Sequence, residues 1–184
     1  MIRNRILATF LLFLTLSACD SPEDKFAHYI ERGNELYAAE EYKKARLEYK
    51  NAAQINPISA EVRYRLGLVD EAEGDIHNAY ANFVIAEQQD KAHKLTLLKL
   101  AQYYMASDQL AEARKRLDSV LASDAKNAEA IAILAAVKLR EGDEKGTEEE
   151  AKRSLSIDKN NVTATAVLTG LYQKQKDTDK AGAA

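Results

Sequence analysis

Small residues recur every 34 positions along most of this 184-residue chain. From Phe26 the sequence divides into four consecutive registers of that length, and four columns of residues can be followed through all of them. The columns are Gly33, Gly67, Ala101 and Ala135; Ala45, Ala79, Ala113 and Thr147; Tyr49, Phe83, Leu117 and Ala151; and Ala52, Ala86, Val120 and Ser154. The last three columns are spaced by four and then three residues, which places them on one face of a helix. The small residues of the first column then allow a second helix to approach closely, so the period predicts stacked helical hairpins.

The composition and the turn signals agree with an all-α fold. The chain has only seven glycines and two prolines, whereas residues with high helix propensity are abundant. The tripeptide Glu-Gly-Asp occurs twice at the same phase, at 73–75 and at 141–143. Glycine in this place ends one helix in the left-handed conformation, and the aspartate caps the next helix.

Together these columns and turns resemble the tetratricopeptide repeat (TPR), a helix-turn-helix unit of 34 residues. The resemblance implies a right-handed α-solenoid with units at 26–59, 60–93, 94–127 and 128–161, followed at 162–184 by a capping helix or a truncated fifth unit. The fourth unit departs most from the pattern, because Thr147, Ala151 and Ser154 replace larger or more typical residues. A plain antiparallel helical bundle is the alternative, but equal spacing of the units favours the solenoid.

The N-terminus has the pattern of a secretory signal. Two arginines, Arg3 and Arg5, precede a run of 13 residues without charge, which is shorter than the roughly 20 residues that span a bilayer. The run ends in Leu-Ser-Ala-Cys, which resembles the bacterial lipobox. This resemblance implies a signal peptide at 1–18, lipid chains such as palmitate on Cys19, and a lipidated tether at 19–25. The alternative is an ordinary signal peptide that happens to be cleaved beside a cysteine.

The lipobox also implies a location. A lipoprotein of this kind is anchored in the cell envelope and faces the periplasm. Asp20 resembles the signal that retains lipoproteins in the inner membrane of enteric bacteria, but the choice between inner and outer membrane stays open.

The TPR resemblance implies a concave protein-binding groove lined by the first helix of each unit. Transferred to this chain, the groove residues are Asn34, Tyr37, Tyr64, Leu68, Glu71, Leu98, Gln102, Met105 and Leu139. This set is mainly aromatic and aliphatic, so it favours an extended or helical protein segment over the charged chain terminus that carboxylate-clamp repeats hold. The alternative is that several of these residues pack against the neighbouring repeat.

Other classes of function find little support. The net charge is −3 with both signs interspersed, whereas a nucleic-acid surface needs a concentrated basic patch. The three histidines, His28, His77 and His93, lie in different units and at different phases, so we predict no metal site. The sequence has no glycine-rich phosphate loop. We therefore expect no cofactor, no small-molecule substrate and no enzymatic activity.

These patterns predict a lipid-anchored adaptor or scaffold for an envelope complex. Repeat lipoproteins of this kind serve pilus assembly and secretin placement, or exopolysaccharide export. The segment 31–83 resembles the N-terminal part of the TPR lipoproteins that accompany PEP-CTERM and exosortase systems. A regulator of a cell-wall or polysaccharide synthase or hydrolase is the alternative function.

Overall fold

A computed structural model describes residues 21–182 of the chain, and the side chains of residues 21–176. Cys19, Asp20 and the predicted signal peptide lie outside this range, as do the side chains of 177–184. Within the described range the chain forms nine α-helices and no β-strand, which confirms the predicted all-α solenoid. The helices are α1 (Pro22–Ala38), α2 (Tyr42–Ile55), α3 (Ala60–Ala72), α4 (Ile76–Gln89), α5 (Lys94–Ala106), α6 (Leu110–Ser123), α7 (Ala128–Glu141), α8 (Glu144–Ile157) and α9 (Val162–Gly182).

The first helices of successive units begin at a constant interval. Helices α3, α5, α7 and α9 start at positions 60, 94, 128 and 162, which are 34 residues apart. The residue before each of them is a polar side chain that accepts a hydrogen bond from a backbone N–H of the first turn; these residues are Ser59, His93, Asn127 and Asn161. The N-terminal cap is therefore part of the repeat.

Helix α1 begins earlier than its unit. The Ser21 hydroxyl accepts a hydrogen bond from the backbone N–H of Asp24, and the Asp24 carboxylate accepts one from the backbone N–H of Ser21, both at 3.1 Å. Pro22 occupies the first helical position, where its missing N–H costs nothing. Residues 22–25, which we expected in the tether, therefore form the first turn of α1.

The turns within the units share one left-handed position. Gly74 and Gly142 have φ angles of 82° and 83°, and Asp75 and Asp143 cap the following helices, which confirms the interpretation of the two Glu-Gly-Asp tripeptides. The equivalent residues of the first and third units are Glu40 and Asp108, both at φ 59°. Half of these turns thus place a non-glycine residue in a conformation that glycine adopts more easily.

In each unit the first helix has a small residue where it lies closest to the second helix. The size of this residue varies with the side chain opposite it on the second helix. A Cβ atom added to Gly67 would lie 2.6 Å from Cε1 of Phe83, and one added to Gly33 would likewise collide with the ring of Tyr49. The third and fourth units have alanine in place of the glycine, and no ring opposite it; the pairs are Ala101 with Leu117 and Ala135 with Ala151. A ring on the second helix thus accompanies glycine on the first, whereas alanine on the first helix accompanies Leu117 or Ala151.

The atypical residues of the fourth unit are all buried. The hydroxyls of Thr147 and Ser154 donate hydrogen bonds to the backbone carbonyls of Asp143 and Ala128, both at 2.7 Å. Ala151 belongs to a layer of small residues that lets α9 pack on both α7 and α8, as the first helix of a further unit would. Gln173, Lys174 and Lys176 of α9 are exposed, so this helix has a polar outer face.

We predict that the effect of substituting Gly67 on stability depends on the size of the side chain at position 83. Gly67→Ala should lower the free energy of unfolding by about 1–2 kcal/mol, because displacing the Phe83 ring costs more than the gain in helix propensity. In a Phe83→Leu background, which imitates the third unit, the same change should be neutral or stabilising. Chemical denaturation of the four proteins in this cycle measures the coupling, and strictly additive effects would contradict the size match.

Polar contacts at one repeated position join successive units. In the first junction Arg46 of α2 contacts the Asp70 carboxylate at 2.5 Å and also pairs with Glu73. Asp70 is 3% exposed, and its second oxygen accepts a hydrogen bond from Asn82 at 2.7 Å. At the equivalent place the next junctions have a contact between the hydroxyls of Tyr80 and Tyr104 at 3.3 Å, and an ion pair between Arg114 and Glu141 at 2.5 Å.

We predict very different costs for breaking the two ion pairs. Arg46→Met leaves the buried Asp70 carboxylate without its cation and should cost about 3–5 kcal/mol of unfolding free energy. Arg114→Met removes a pair whose side chains are both about one-third exposed, and it should cost about 0–1 kcal/mol. Urea denaturation of both variants tests this, and equal losses would show that burial does not decide the strength of the junction.

Candidate protein-binding groove

Two of the predicted groove residues belong to the core. Tyr64 is 7% exposed, and its ring centroid lies 5.8 Å from that of Phe83 and 5.5 Å from that of His93. Leu98 is 8% exposed within a cluster that also contains residues of α6 and α7. Both side chains also share a core cluster with residues of the following unit, Tyr64 with Leu100 and Leu98 with Ile133. They offer little surface to a partner, which corrects their assignment to the groove.

The remaining predicted residues are half-buried. Asn34 accepts a hydrogen bond from the Tyr49 hydroxyl at 2.9 Å, and Tyr37 packs on the ring of Tyr42 at 5.4 Å between centroids. Burial raises the pKa of Tyr37, and the neighbouring Tyr42 and Glu71 raise it further. Leu68, Gln102, Met105 and Leu139 each keep part of their surface in solvent. The face predicted for binding thus also contributes to packing.

An open depression of about 540 Å³ lies between α1 and α3. We call it the α1–α3 depression, and its lining residues are Phe26, Ala27, Ile30, Glu31, Asn34, Glu35 and Glu61. Asn34 is its only member among the predicted groove residues. Helix α1 belongs to the first unit in the described part of the chain, so no earlier repeat covers Phe26 and Ile30. The sequence signal that finds these residues is the helical spacing from Phe26 to Ile30 to Asn34 on α1.

The α1–α3 depression is acidic at its rim. Glu35 pairs with Arg32 at 3.1 Å, and both side chains are more than half exposed. Glu31 forms no ion pair within the described residues. Glu61 is balanced by Arg65 at 2.6 Å and also contacts His93 Nε2 at 3.0 Å. The uncompensated negative charge therefore lies on the α1 side of the depression.

His93 joins the second unit to the third at this face. Its Nδ1 accepts a hydrogen bond from the backbone N–H of Thr96 at 3.4 Å and contacts the Thr96 hydroxyl at 2.7 Å. With Nδ1 accepting, the proton of the neutral ring is on Nε2, which donates to the Glu61 carboxylate at 3.0 Å. The hydrogen bond from His93 is the largest influence that lowers the pKa of Glu61, and the bond from Arg65 lowers it further.

A second depression, of about 420 Å³, lies outside the predicted groove, beside the turns of the second and third units. Three tyrosines line it, and Tyr80 stacks on Tyr103 with their ring centroids 5.9 Å apart. Arg116 lies over the ring of Tyr104 at 4.5 Å. The Tyr103 hydroxyl has no hydrogen-bond partner among the described residues, and burial together with the Glu71 carboxylate raises the pKa of Tyr103 to about 12. Sequence reasoning missed this cluster because its members come from different units.

The described residues contain no group of three or more histidine, cysteine, aspartate or glutamate side chains placed to hold a metal ion. Among the helices of residues 21–182, none is long and apolar enough to cross a membrane. The main features of this region are therefore stacked helical faces with shallow, open depressions.

Stacked helical hairpins with open depressions define the class of the protein as a scaffold for protein–protein interaction, a fold that is generally non-catalytic. A family model described as "TPR repeat" matches residues 33–74, and one described as "Tetratricopeptide repeat" matches residues 71–137. Together the matches cover more than half of the chain, which belongs to the tetratricopeptide-repeat proteins.

Solved structures share this fold at low sequence identity. PilF of Pseudomonas aeruginosa is 18% identical, with a TM-score of 0.73 over 85% of this chain and 71% of PilF. MamA (residue 41 to the end) from Desulfovibrio magneticus RS-1 is 17% identical, with a TM-score of 0.68 over 88% of this chain and 92% of that one. A thermophilic TPR protein of Thermus thermophilus is 19% identical, with a TM-score of 0.69 over 85% and 86% of the two chains. No curated protein matches the chain.

We predict that Glu61 stabilises the fold only where it is ionised. Its folded-state pKa lies below the usual value of 4.5, so its contribution is complete above that pH and is lost as the pH falls through the folded-state pKa. Glu61→Gln should therefore lower the free energy of unfolding at pH 7, and this difference from the parent protein should shrink below about pH 4.5. Denaturation at several pH values measures the difference.

The control for this experiment is Glu31→Gln, which alters an unpaired carboxylate of the same depression and should change stability little at any pH. A loss from Glu61→Gln that stays constant from pH 7 to pH 3 would contradict the role of the ionised pair.

Proposed function

We propose that the protein is a membrane-anchored scaffold that holds a segment of another envelope protein in the α1–α3 depression. The observation that carries this proposal is the combination of two large apolar side chains, Phe26 and Ile30, with uncompensated negative charge in an open surface of about 540 Å³. Its mechanism is binding without catalysis, as is general for the tetratricopeptide-repeat fold.

The lining of the depression favours a partner segment of particular chemistry. An apolar side chain of the partner would contact Phe26 and Ile30, and removing that surface from water supplies the affinity. A lysine or arginine one helical turn away in the partner would lie near Glu31 and Glu35, which gives selectivity and a faster association. An amphipathic helix with one basic edge satisfies both requirements.

Anchoring through Cys19 completes the proposed function. The sequence of the N-terminus supports a diacylglyceryl group on the cysteine sulfur and an acylated amino terminus, and more than one acyl chain is needed for stable attachment. Because residues 31–83 resemble the start of known TPR lipoproteins, we propose that the complex serves exopolysaccharide export or the assembly of a pilus or secretin. The scaffold would face the periplasm.

The test is site-specific photo-crosslinking in the native membrane. A photoreactive amino acid at Ile30 should capture a discrete partner, and one at Ala27, which lines the same depression, should capture the same protein. The matched control is Leu47, which is 59% exposed on α2, outside the depression. Capture of the same proteins from all three positions would contradict a specific groove.

Charge reversal then tests the chemistry of recognition. Glu31→Lys should weaken binding of the captured partner at least tenfold, whereas Glu149→Lys, an equal change of net charge on α8, should leave the affinity within about twofold. Cys19→Ser should move the protein from the membrane to the soluble periplasmic fraction without changing the affinity for the partner. Equal losses of affinity from the two charge reversals would show that the acidic rim does not contribute to recognition of the partner.

A further inference from the structure

The first helix of the solenoid begins three residues after the cysteine proposed to carry the lipid. The capping box of Ser21 and Asp24 starts α1 at Pro22, so only the backbone from Cys19 to Ser21 separates the modified sulfur from the folded domain. Two peptide units span at most about 8 Å between Cα atoms. A lipid on Cys19 would therefore leave the start of α1 at the headgroup region of the bilayer. This inference rests on the anchoring proposed above.

Apolar side chains lie at that end of the solenoid, where Pro22 and Ile58 are exposed and Phe26 and Ile55 are half-buried. Pro22, Phe26 and Ile55 line a shallow depression of about 300 Å³ together with Glu23 and Asn56. Ile58 follows in the turn between α2 and α3 and is 77% exposed. The turn is held in place, because the backbone N–H of Ile58 donates to the Asn56 side chain at 3.3 Å and Gln89 donates to the carbonyl of Pro57 at 3.4 Å. A fixed turn thus presents an isoleucine to the surroundings.

The charges of the turns distinguish the two edges of the solenoid. The turns between units, at 56–59, 90–93, 124–127 and 158–161, lie on the edge where α1 begins. The first contains no charge and each of the others contains one aspartate and one lysine, so each turn is neutral when His93 is neutral. We call this the neutral edge. The first turn of α1, at the same edge, adds Glu23 and Asp24 beside Lys25.

The turns within units, at 39–41, 73–75, 107–109 and 142–143, contain six carboxylates and no basic residue. Bases of the adjoining helices pair with four of them, and Glu40 and Asp75 have no ion pair among the described residues.

We propose that the bilayer surface covers the neutral edge at Pro22, Ile55 and Ile58. Bacterial membranes carry anionic headgroups, which repel the edge with the unpaired carboxylates of Glu40 and Asp75 more than an edge whose turns are neutral. Apolar side chains gain free energy on entering the interface, and Ile58 has most of its surface available. The acidic turns then point away from the membrane, and the orientation of the scaffold is set by the fold and not by a flexible tether.

The experiment measures the depth of two matched positions in the bilayer. The full-length lipidated protein is reconstituted in vesicles of phosphatidylethanolamine and phosphatidylglycerol, and an environment-sensitive fluorophore is attached to an Ile58→Cys or an Ile76→Cys variant. Ile76 is 54% exposed and lies at the start of α4, next to an acidic turn, so it is the matched control. Cys19 does not react with the label when its sulfur is in a thioether, and intact mass establishes this first.

The label at position 58 should shift to the blue on reconstitution and be quenched by acyl-brominated lipids at least threefold more than the label at position 76. If the emission of the label at position 58 stays that of a water-exposed fluorophore, like the control, on protein whose intact mass includes the lipid, the proposed orientation is wrong. The lipid anchor itself is then still supported. A protein without lipid on Cys19 would overturn both. A blue shift that appears without vesicles and grows with protein concentration would assign the edge to a second copy of the chain.

Discussion

The close approach of two helices through one small residue governs the whole solenoid. Where a ring occupies the second helix, as at Tyr49 and Phe83, the first helix must present glycine, because even a methyl group would overlap the ring. Where the second helix has Leu117 or Ala151, alanine fits. The repeat therefore excludes a ring opposite a Cβ atom at this contact, and the fourth unit meets that condition because both of its residues are alanine.

The stacking of successive units depends in addition on contacts between charged side chains. Asp70 is buried at a junction between units, and Arg46 and Asn82 satisfy its oxygens from both sides. At the corresponding place later in the chain, tyrosine hydroxyls or a more exposed ion pair suffice. The first junction is thus the most polar and the most buried of these contacts. It also supports the α1–α3 depression, because it holds the first unit against the second.

An interaction scaffold at a membrane needs one surface for its partner and another for the bilayer. The proposed function assigns the partner to the faces of α1 and α3, where apolar side chains and acidic groups are adjacent. The inferred orientation assigns the membrane to the edge of neutral turns beside the start of α1. Phe26 lines both depressions, since it lies in the first turns of a helix that no earlier repeat covers within residues 21–182. Partner and membrane would then meet at the same end of the solenoid.

The period, the helices and their turns could be predicted from the sequence, because packing of small against large residues and capping by Gly-Asp pairs are local and repeat at fixed spacing. The sequence also pointed to the faces of the first helices. Which side chains of these faces remain accessible emerged only from the stacking of the units: Tyr64 and Leu98 are buried, whereas Phe26 and Ile30 are half-buried at an open depression. Burial of this kind depends on residues about 30 positions away, which a helical pattern does not contain. The same is true of the burial of Asp70, whose cation Arg46 comes from the preceding unit.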